Sequence, residues 1–145
     1  DIDAYIPVGY IPNEAQKLDI YKRIAGIGNE EERDEMLEEL IDRFGEPPKS
    51  AQNLLKLAEL KAAAHRHYFT EVTQKGDEVR FTFYERAKVN PVNIPGFVAQ
   101  FNGNMKFYAD KKMPYFVYQL KRNSRVKESA VSVVEQVMNK ADMLL

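Results

Sequence analysis

The sequence predicts an α+β fold in which N-terminal helices are followed by two ββα-like units packed as one domain. Apolar residues recur at helical spacing up to about residue 67. The period then shortens, and runs rich in β-branched and aromatic residues occur in pairs separated by turn residues. Helical spacing returns near the C-terminus. The expected order is therefore ααα-ββ-α-ββ-α, in which helices precede an antiparallel sheet with helices of its own.

An extended arm, residues 1–12, is expected to precede the domain proper, residues 13–145. Pro7 and Pro12 disfavour a helix in this stretch, where apolar and polar positions alternate. The chain starts at Asp1 rather than at a methionine. Together with the extended opening, this predicts a segment of a longer polypeptide.

The first helix is expected to begin after Asn13, a favourable N-cap residue with Gln16 at the capping-box position. Gly26 is the predicted C′ residue that ends this helix. The apolar side of the helix is expected to comprise Leu18, Ile20, Tyr21 and Ile24.

The second predicted helix presents an acidic face. Asn29 is its expected N-cap, three glutamates fill its first turn, where the helix dipole favours negative charge, and Gly45 ends it. The residues predicted to face the core are Met36, Leu37, Leu40, Ile41 and Phe44. The residues predicted to point outward are Glu35, Glu38, Glu39 and Asp42. Like charges at this spacing repel one another, so the face is either a plain solvated surface or one that a basic partner neutralises.

The remaining elements follow from similar local signals. Pro47 and Pro48 are expected to open a third helix, which reaches about His67 and is apolar on more than one side. Gly76 lies in a hairpin-turn sequence, and the last helix is predicted to run from about Ser124 with valines and alanines at helical spacing. The predicted strands are residues 69–73, 78–84, 105–108 and 115–120, with a short helix over residues 90–101.

Composition and motifs exclude several classes of function. The absence of cysteine excludes disulfide scaffolds, thiolate catalysis and cysteine-based zinc or iron–sulfur sites. The chain contains no phosphate-binding loop, dinucleotide fingerprint or nucleophile elbow. His65 and His67 project about 200° apart on a helix and so cannot share a metal. We therefore expect no catalytic residue, metal site or cofactor, and hence no enzyme activity in this chain.

Charge is distributed unevenly along the chain. Residues 1–48 hold 13 acidic and 5 basic residues, whereas residues 49–145 hold 9 acidic and 16 basic ones. Either region is a candidate docking surface. No apolar run is long enough to cross a bilayer and no signal peptide is visible, so we expect a cytoplasmic location with no membrane contact.

Nucleic-acid binding is the alternative function for the basic C-terminal third. The candidate phosphate-contacting residues are Lys106, Lys111, Lys112 and Arg122. The aromatic residues interleaved with them are Phe107, Tyr108, Tyr115, Phe116 and Tyr118. A small sheet needs one buried face, so core packing accounts for several of these aromatics equally well. A solvated surface above an aromatic core is the favoured interpretation.

An ordered set of short motifs resembles the C-terminal domain of the bacterial transcription-repair coupling factor (Mfd) family. The likeness covers essentially the whole chain and is strongest over residues 5–66. The motifs that carry it are Tyr10-Ile11-Pro12, Tyr21-Lys22-Arg23-Ile24-Ala25, Glu39-Leu40-Ile41-Asp42-Arg43-Phe44-Gly45 with Pro48, Leu54-Leu55, Ala58-Glu59-Leu60-Lys61 and Val89-Asn90-Pro91.

The resemblance implies a regulatory domain of a DNA translocase that couples transcription to nucleotide-excision repair. In that family, other domains bind ATP and Mg and contact RNA polymerase and DNA. The C-terminal domain docks on a UvrB-like module of the same polypeptide and masks the surface that binds UvrA. The resemblance thus implies a non-enzymatic, autoinhibitory interaction domain.

The resemblance also implies which residues form the docking surface. The acidic residues of the family motif correspond here to Glu39 and Asp42. Glu35 and Glu38 share their side of the helix. Arg43 lies on its flank, where it either joins the interface or holds Glu39 or a neighbouring helix. Opposite charges across such an interface contribute orientation and specificity more than affinity.

Overall fold

The computed structural model describes residues 3–109, 112–123, 125 and 127–145. The chain forms two compact units, Asp1–Ala63 and Ala64–Leu145, hereafter unit 1 and unit 2. The order of helices and strands confirms the predicted α+β class. The elements are α1 Glu14–Ala25, α2 Glu30–Phe44, α3 Lys49–Arg66, β1 Phe69–Lys75, β2 Glu78–Phe83, α4 Ile94–Ala99, β3 Met105–Tyr108, β4 Tyr115–Gln119 and α5 Ala130–Lys140. Short 3-10 turns at Pro91–Asn93 and Ala141–Leu144 precede α4 and follow α5.

Unit 1 is built around a single aliphatic core, to which the N-terminal arm contributes. Its buried residues are Ile6, Ile11, Ile20, Ile24, Ile27, Met36, Leu40 and Leu55. The backbone N–H of Ile6 donates to the Tyr21 hydroxyl at 2.8 Å, and the Tyr10 hydroxyl donates to the Gly45 carbonyl at 2.7 Å. Residues 3–12 are therefore tied to the helices by buried side chains and by hydrogen bonds. Their division from residues 13–145 as a separate linker stays a prediction.

Both predicted N-caps of unit 1 are confirmed. The Asn13 side chain accepts from the Gln16 N–H at 2.9 Å, and the Asn29 side chain accepts from the Glu32 N–H at 2.8 Å. Each bond satisfies one of the backbone donors that a helix N-terminus leaves without an intrahelical partner. The end of α2 is also as predicted, since Gly45 takes a φ of +86° that strongly favours glycine.

The predicted end of α1 is confirmed in position, since the helix ends at Ala25 with Gly26 as its C-cap, but the backbone conformation of Gly26 differs from that of a C′ glycine. Gly26 has a φ of −88° and a ψ of −1°, so it is not a left-handed C′ residue. After α1 the chain instead forms a 3-10-type turn, in which the Ile27 N–H donates to the Ile24 carbonyl at 3.0 Å. This tighter turn places Ile27 in the core, which supplies a reason for the departure.

Two residues predicted to face the core are exposed instead. Leu18 is 56% exposed and Ile41 is 39% exposed. The buried stripe of α2 is narrower than predicted, because it consists of Met36 and Leu40. Successive residues of a helix turn by about 100°, which moves Ile41 out of a stripe centred on this i, i+4 pair. For α3, every residue from Ser50 to Leu60 is buried or half-buried, which agrees with its predicted apolar character.

Unit 2 contains one antiparallel sheet in the order β1-β2-β4-β3. The predicted hairpin turn is present, since Lys75 pairs with Glu78 and Gly76 takes a φ of +60°. The two predicted strand pairs merge into one sheet, because β2 pairs with β4 and places Phe81 opposite Phe116. The residues that this sheet contributes to the core are Phe69, Val79, Phe81, Phe83, Met105, Phe116 and Tyr118. Helix α4 adds Phe97, whose ring centroid lies 5.1 Å from that of Phe116.

The predicted start of the last helix is wrong. Helix α5 begins at Ala130, and its N-cap is Ser129, whose hydroxyl accepts from the Ser132 N–H at 3.1 Å. Ser124 and Val126 lie outside the described residues, and Arg122 pairs with Lys127 in an antiparallel bridge. The segment before α5 must return to the sheet, because the Glu128 carboxylate accepts from the buried Tyr118 hydroxyl at 2.9 Å. This contact holds Glu128 at the sheet, and α5 therefore begins later in the chain than predicted.

Candidate functional site

The acidic face of α2 is smaller than the sequence indicates. Glu35, Glu38 and Asp42 are exposed, and within the described part of the chain none of the three makes an ion pair. Ile41, which is also exposed, follows Glu38 by three residues and therefore lies beside it, at the edge of this carboxylate face. The outward surface of α2 thus combines three exposed carboxylates with one exposed apolar side chain at its edge.

Glu39 has a different role from the other three carboxylates. Its side chain is half-buried and accepts from both terminal nitrogens of Arg23 on α1, at 2.5 and 2.6 Å. Arg43, one turn along α2, donates to the same carboxylate at 2.9 Å. The guanidinium of Arg43 also lies 4.9 Å from the centre of the Phe44 ring. The prediction that Arg43 holds Glu39 is therefore confirmed, and Glu39 serves as a clamp between α1 and α2.

Arg23 and Arg43 favour the ionised form of the Glu39 carboxylate. Hydrogen bonds from Arg23 and then from Arg43 lower the pKa of Glu39 to about 2. The same contact raises the pKa of Arg23 further above its ordinary value. A bidentate arginine–carboxylate pair is among the stronger and more directional ion pairs, so this contact orients α1 and α2 relative to each other.

We expect acid to remove the stabilisation that the clamp provides. The folded chain holds the pKa of Glu39 at about 2, below its ordinary value of 4.5, so the unfolded chain takes up the proton first as the pH falls. The contribution is present above pH 4.5 and is lost as the pH falls from there towards 2. We expect it to amount to about 1 kcal/mol, because solvent screens a pair that is one-third exposed.

Urea unfolding of the wild type and of Glu39→Gln across this pH range measures that contribution. The difference in unfolding free energy should shrink as the pH falls. Glu38→Gln is the matched control, because it removes a carboxylate of the same helix that makes no ion pair with the described residues. Equal pH profiles for Glu39→Gln and Glu38→Gln would contradict the clamp.

A second ion pair ties α2 to α3. Arg33 donates to Glu59 at 2.6 Å, and it also lies 3.2 Å from Asp34 and 3.8 Å from Glu30. Neither Arg23 nor Arg33 is among the residues that the sequence singles out for the site. Arg23 lies in one of the family motifs, but its partner is sixteen residues away and no local pattern names it.

The predicted nucleic-acid residues differ in their surroundings. Arg122 forms an ion pair with Asp77 at 3.1 Å, so its charge is partly neutralised. Lys106 and Lys112 are exposed, whereas Lys111 lies outside the described residues. The interleaved aromatics divide as core packing requires: Phe116 and Tyr118 are buried, Phe107 and Tyr115 are half-buried and Tyr108 is 44% exposed.

The histidines have structural surroundings. His67 is buried, and its Nε2 lies 2.7 Å from an Asp142 carboxylate oxygen. His65 is exposed and meets the Tyr84 ring edge-on, with 6.0 Å between centroids. Within the described ranges, no group of three or more histidine, aspartate or glutamate side chains is placed to hold a metal ion. Nor does any helix in this part of the chain combine the length and apolarity that spanning a bilayer requires.

Comparison with known proteins assigns the family. The sequence model of the TRCF domain matches residues 1–94, which is more than half of the chain. The chain belongs to the TRCF domain family. The matched range contains all of unit 1, including the clamp and the acidic face, and it ends at the start of α4. The family that the sequence motifs resemble is thereby confirmed.

Relatives of this TRCF domain are much longer proteins. It is 41% identical to the transcription-repair-coupling factor of Bacillus subtilis over 87 residues, which is 60% of this chain and 7% of that protein. It is 26% identical to the corresponding factor of Rickettsia prowazekii over 122 residues, which is 84% of this chain and 11% of that protein. The chain therefore spans about a tenth or less of these relatives.

The fold match extends beyond the sequence match. A crystal structure of the C-terminal domain of transcription-repair coupling factor superposes with a TM-score of 0.83 at 25% identity. That match covers 99% of this chain and 88% of the other. Residues 95–145 thus share the family fold although they lie outside the match to the family model. The exposed lysines of the C-terminal third lie in this less similar part.

Proposed function

We propose that this TRCF domain is an autoinhibitory interaction domain, which docks through the exposed face of α2 on a UvrB-like module of its parent polypeptide. Docking would mask the surface of that module that binds UvrA. The observation that carries the proposal is the set of exposed carboxylates of α2, Glu35, Glu38 and Asp42, which are not neutralised by described residues of this chain.

The chemistry of the surface favours a basic partner that also makes an apolar contact at the edge of the carboxylate face. Exposed Ile41 offers apolar area to bury, and the exposed carboxylates beside it offer charges that orient the partner. Like charges this close repel one another in the undocked helix, and a basic partner relieves the repulsion. Docking and charge neutralisation therefore act in the same direction.

Glu39 supports this surface rather than forming it. Its carboxylate already accepts three hydrogen bonds from Arg23 and Arg43. Pairing it with a partner would require breaking that clamp. Its role in docking is to fix α2 against α1, so that the exposed carboxylates are presented in one geometry.

Weak intrinsic affinity suits such a contact. A domain joined covalently to its partner experiences an effective concentration near ~1 mM, so a modest affinity keeps it docked. A contact that relies on exposed ion pairs is also released readily when a competing state is bound more strongly. Reversible autoinhibition requires both of these properties.

The test is UvrA binding by the full-length parent protein with Glu38→Lys and Asp42→Lys combined. We expect the double variant to bind UvrA about tenfold or more tightly than wild type in the absence of stalled polymerase, because reversal replaces attraction by repulsion across the interface. The matched control combines Glu71→Lys and Glu85→Lys, which change the net charge equally on exposed residues of unit 2. The control is expected to bind UvrA as weakly as wild type.

Two results would contradict the proposal. If UvrA binding were unchanged in the double variant and circular dichroism showed an intact fold, residues outside the α2 face would hold the domain in its docked position. Equal gains in the double variant and its control would show a general charge effect. Glu39→Lys is unsuitable for this test, since loss of the clamp alters the position of α2 and would release the domain indirectly.

A further inference from the structure

The solvent-facing side of the unit 2 sheet carries an aromatic and basic surface. Cross-strand pairing places Arg80 of β2, Val117 of β4 and Lys106 of β3 in one row. The next row brings Tyr115 of β4 beside Tyr108 of β3. Side chains of one row project from the same face of an antiparallel sheet, and this face is opposite the buried one. These residues are exposed or half-buried.

Three of these side chains form a stack. The Arg80 guanidinium lies 4.2 Å from the centre of the Tyr115 ring, and the Tyr115 and Tyr108 rings are 5.1 Å apart and within 17° of parallel. Because β4 lies between β2 and β3, Arg80 and Tyr108 approach Tyr115 from opposite sides. The stack ends at Tyr108 on the edge strand, where no further strand covers the ring within the described sheet. Tyr108 is accordingly 44% exposed.

We propose that this sheet face binds single-stranded nucleic acid, with a base stacked on Tyr108 and a phosphate contacted by Lys106. A base extends the existing stack, because every base has a π-face that an aromatic ring accepts. Lys106 is two residues before Tyr108 on the same face of β3, about 7 Å away along the strand. Tyr108 can therefore stack on the base of one nucleotide while Lys106 contacts the phosphate of that nucleotide or of its neighbour.

Charge on this face favours a polyanion over a polypeptide. Strands β3 and β4 contain no acidic residue, and the acids that share the face, Glu71 and Glu78, lie on β1 and β2. A depression in this face is lined by three basic residues and by both of these acids, so its cations outnumber its anions: Lys75, Arg80, Lys112, Glu71 and Glu78. The three side chains are already stacked in the unbound chain, so a base would extend a preformed surface. The surface is built from other residues than the acidic face of α2 and stands independently of the docking proposal.

Fluorescence anisotropy with the 145-residue chain tests the proposal. The probe is a labelled oligothymidine of about 12 nucleotides, within the range that such surfaces occupy. It is compared with an abasic strand that has the same number of phosphates. At ~50 mM salt, where phosphate contacts are strongest, we expect saturable binding of the oligothymidine. We expect the abasic strand to bind about tenfold more weakly, because it cannot stack.

Variants separate stacking from charge. We expect Tyr108→Ala to weaken oligothymidine binding by about tenfold and Tyr108→Phe to retain it, since the ring stacks without its hydroxyl. Tyr5→Ala, which removes an exposed tyrosine of unit 1, is the matched control and should have no effect. Lys106→Ala should reduce the slope of log affinity against log salt by about 0.7, whereas Lys22→Ala on α1 should leave the slope unchanged.

Three outcomes would overturn the proposal. The first is no anisotropy change with oligothymidine, as expected if the face serves only a protein partner. The second is equal affinity for the abasic strand, which would reduce the contact to phosphates alone. The third is the same affinity for Tyr108→Ala and Tyr5→Ala while circular dichroism shows both variants to be folded.

Discussion

Replacing Phe116 by alanine should reduce the unfolding free energy by about 3–5 kcal/mol, a large share of what a domain of this size has. Phe116 is fully buried at the centre of the sheet, and its ring lies 5.1–5.4 Å from the rings of Phe83, Phe97 and Phe107. The substitution removes apolar area from the core and leaves a cavity bounded by these rigid rings. Such a cavity collapses poorly, because its aromatic walls are held on three different elements.

Urea unfolding followed by far-UV circular dichroism measures this loss. Val117→Ala is the matched control, because Val117 is adjacent on β4 but half-buried on the opposite face. Its truncation should cost about 1 kcal/mol or less, since it removes little buried area. An equal shift for Phe116→Ala and Val117→Ala, at unchanged dependence on urea, would show that the aromatic cluster is not the core of this sheet.

The second large effect is expected at Glu128, whose carboxylate closes the segment before α5. It accepts from the Tyr118 hydroxyl at 2.9 Å and from the Lys121 N–H at 2.8 Å. Glu128→Ala should cost about 2 kcal/mol, because it leaves the buried hydroxyl without its acceptor. Tyr118→Phe should cost only about 1 kcal/mol, since the carboxylate it leaves behind is half-exposed and regains water.

A double-mutant cycle over these two residues isolates the contact. The double variant should lose less stability than the two single variants together, with a coupling of about 1 kcal/mol. Additive losses would show that the hydroxyl and the carboxylate contribute independently, against the structure.

The same contact makes stability depend on alkaline pH. Burial, and then the hydrogen bond to Glu128 and its negative charge, raise the pKa of Tyr118 from 10.0 to about 12. The folded chain thus keeps the phenolic proton between pH 10 and pH 12, whereas the unfolded chain releases it. The corresponding stability is fully present below pH 10 and is lost as the pH rises towards 12. Glu128→Gln keeps an acceptor but removes the charge, so a titration of tyrosinate absorbance should find a lower pKa for Tyr118.

Sequence alone predicts much of the fold of unit 1 for a physical reason. Asn13 and Asn29 act on backbone donors three residues away, and Gly45 acts through its own dihedral angles. Such signals lie within a few residues and need no knowledge of the rest of the chain. The acidic face of α2 follows in the same way from helical spacing.

The candidate site shows where local reasoning stops. Helical spacing places Glu39 with Glu35, Glu38 and Asp42, but the structure pairs it with Arg23 on another helix. The packing of α1 on α2 decides this pairing, and packing depends on the complete shapes of both helices. The face predicted to present four outward carboxylates therefore consists of three exposed carboxylates and one clamp.

What the sequence by itself determined is the class of the fold, the order of its elements, most helix ends and the charge of the α2 face. Each is set by backbone chemistry or side-chain spacing within a few residues. Only the tertiary structure decided that β2 pairs with β4, that α5 begins after Ser129, and that Tyr108, Tyr115 and Arg80 form one stack. These features depend on strand register and on buried polar groups finding partners far along the chain. Strand pairing and buried hydrogen bonds stabilise the chain only after segments that are far apart in sequence have come into contact, so a local pattern cannot predict them.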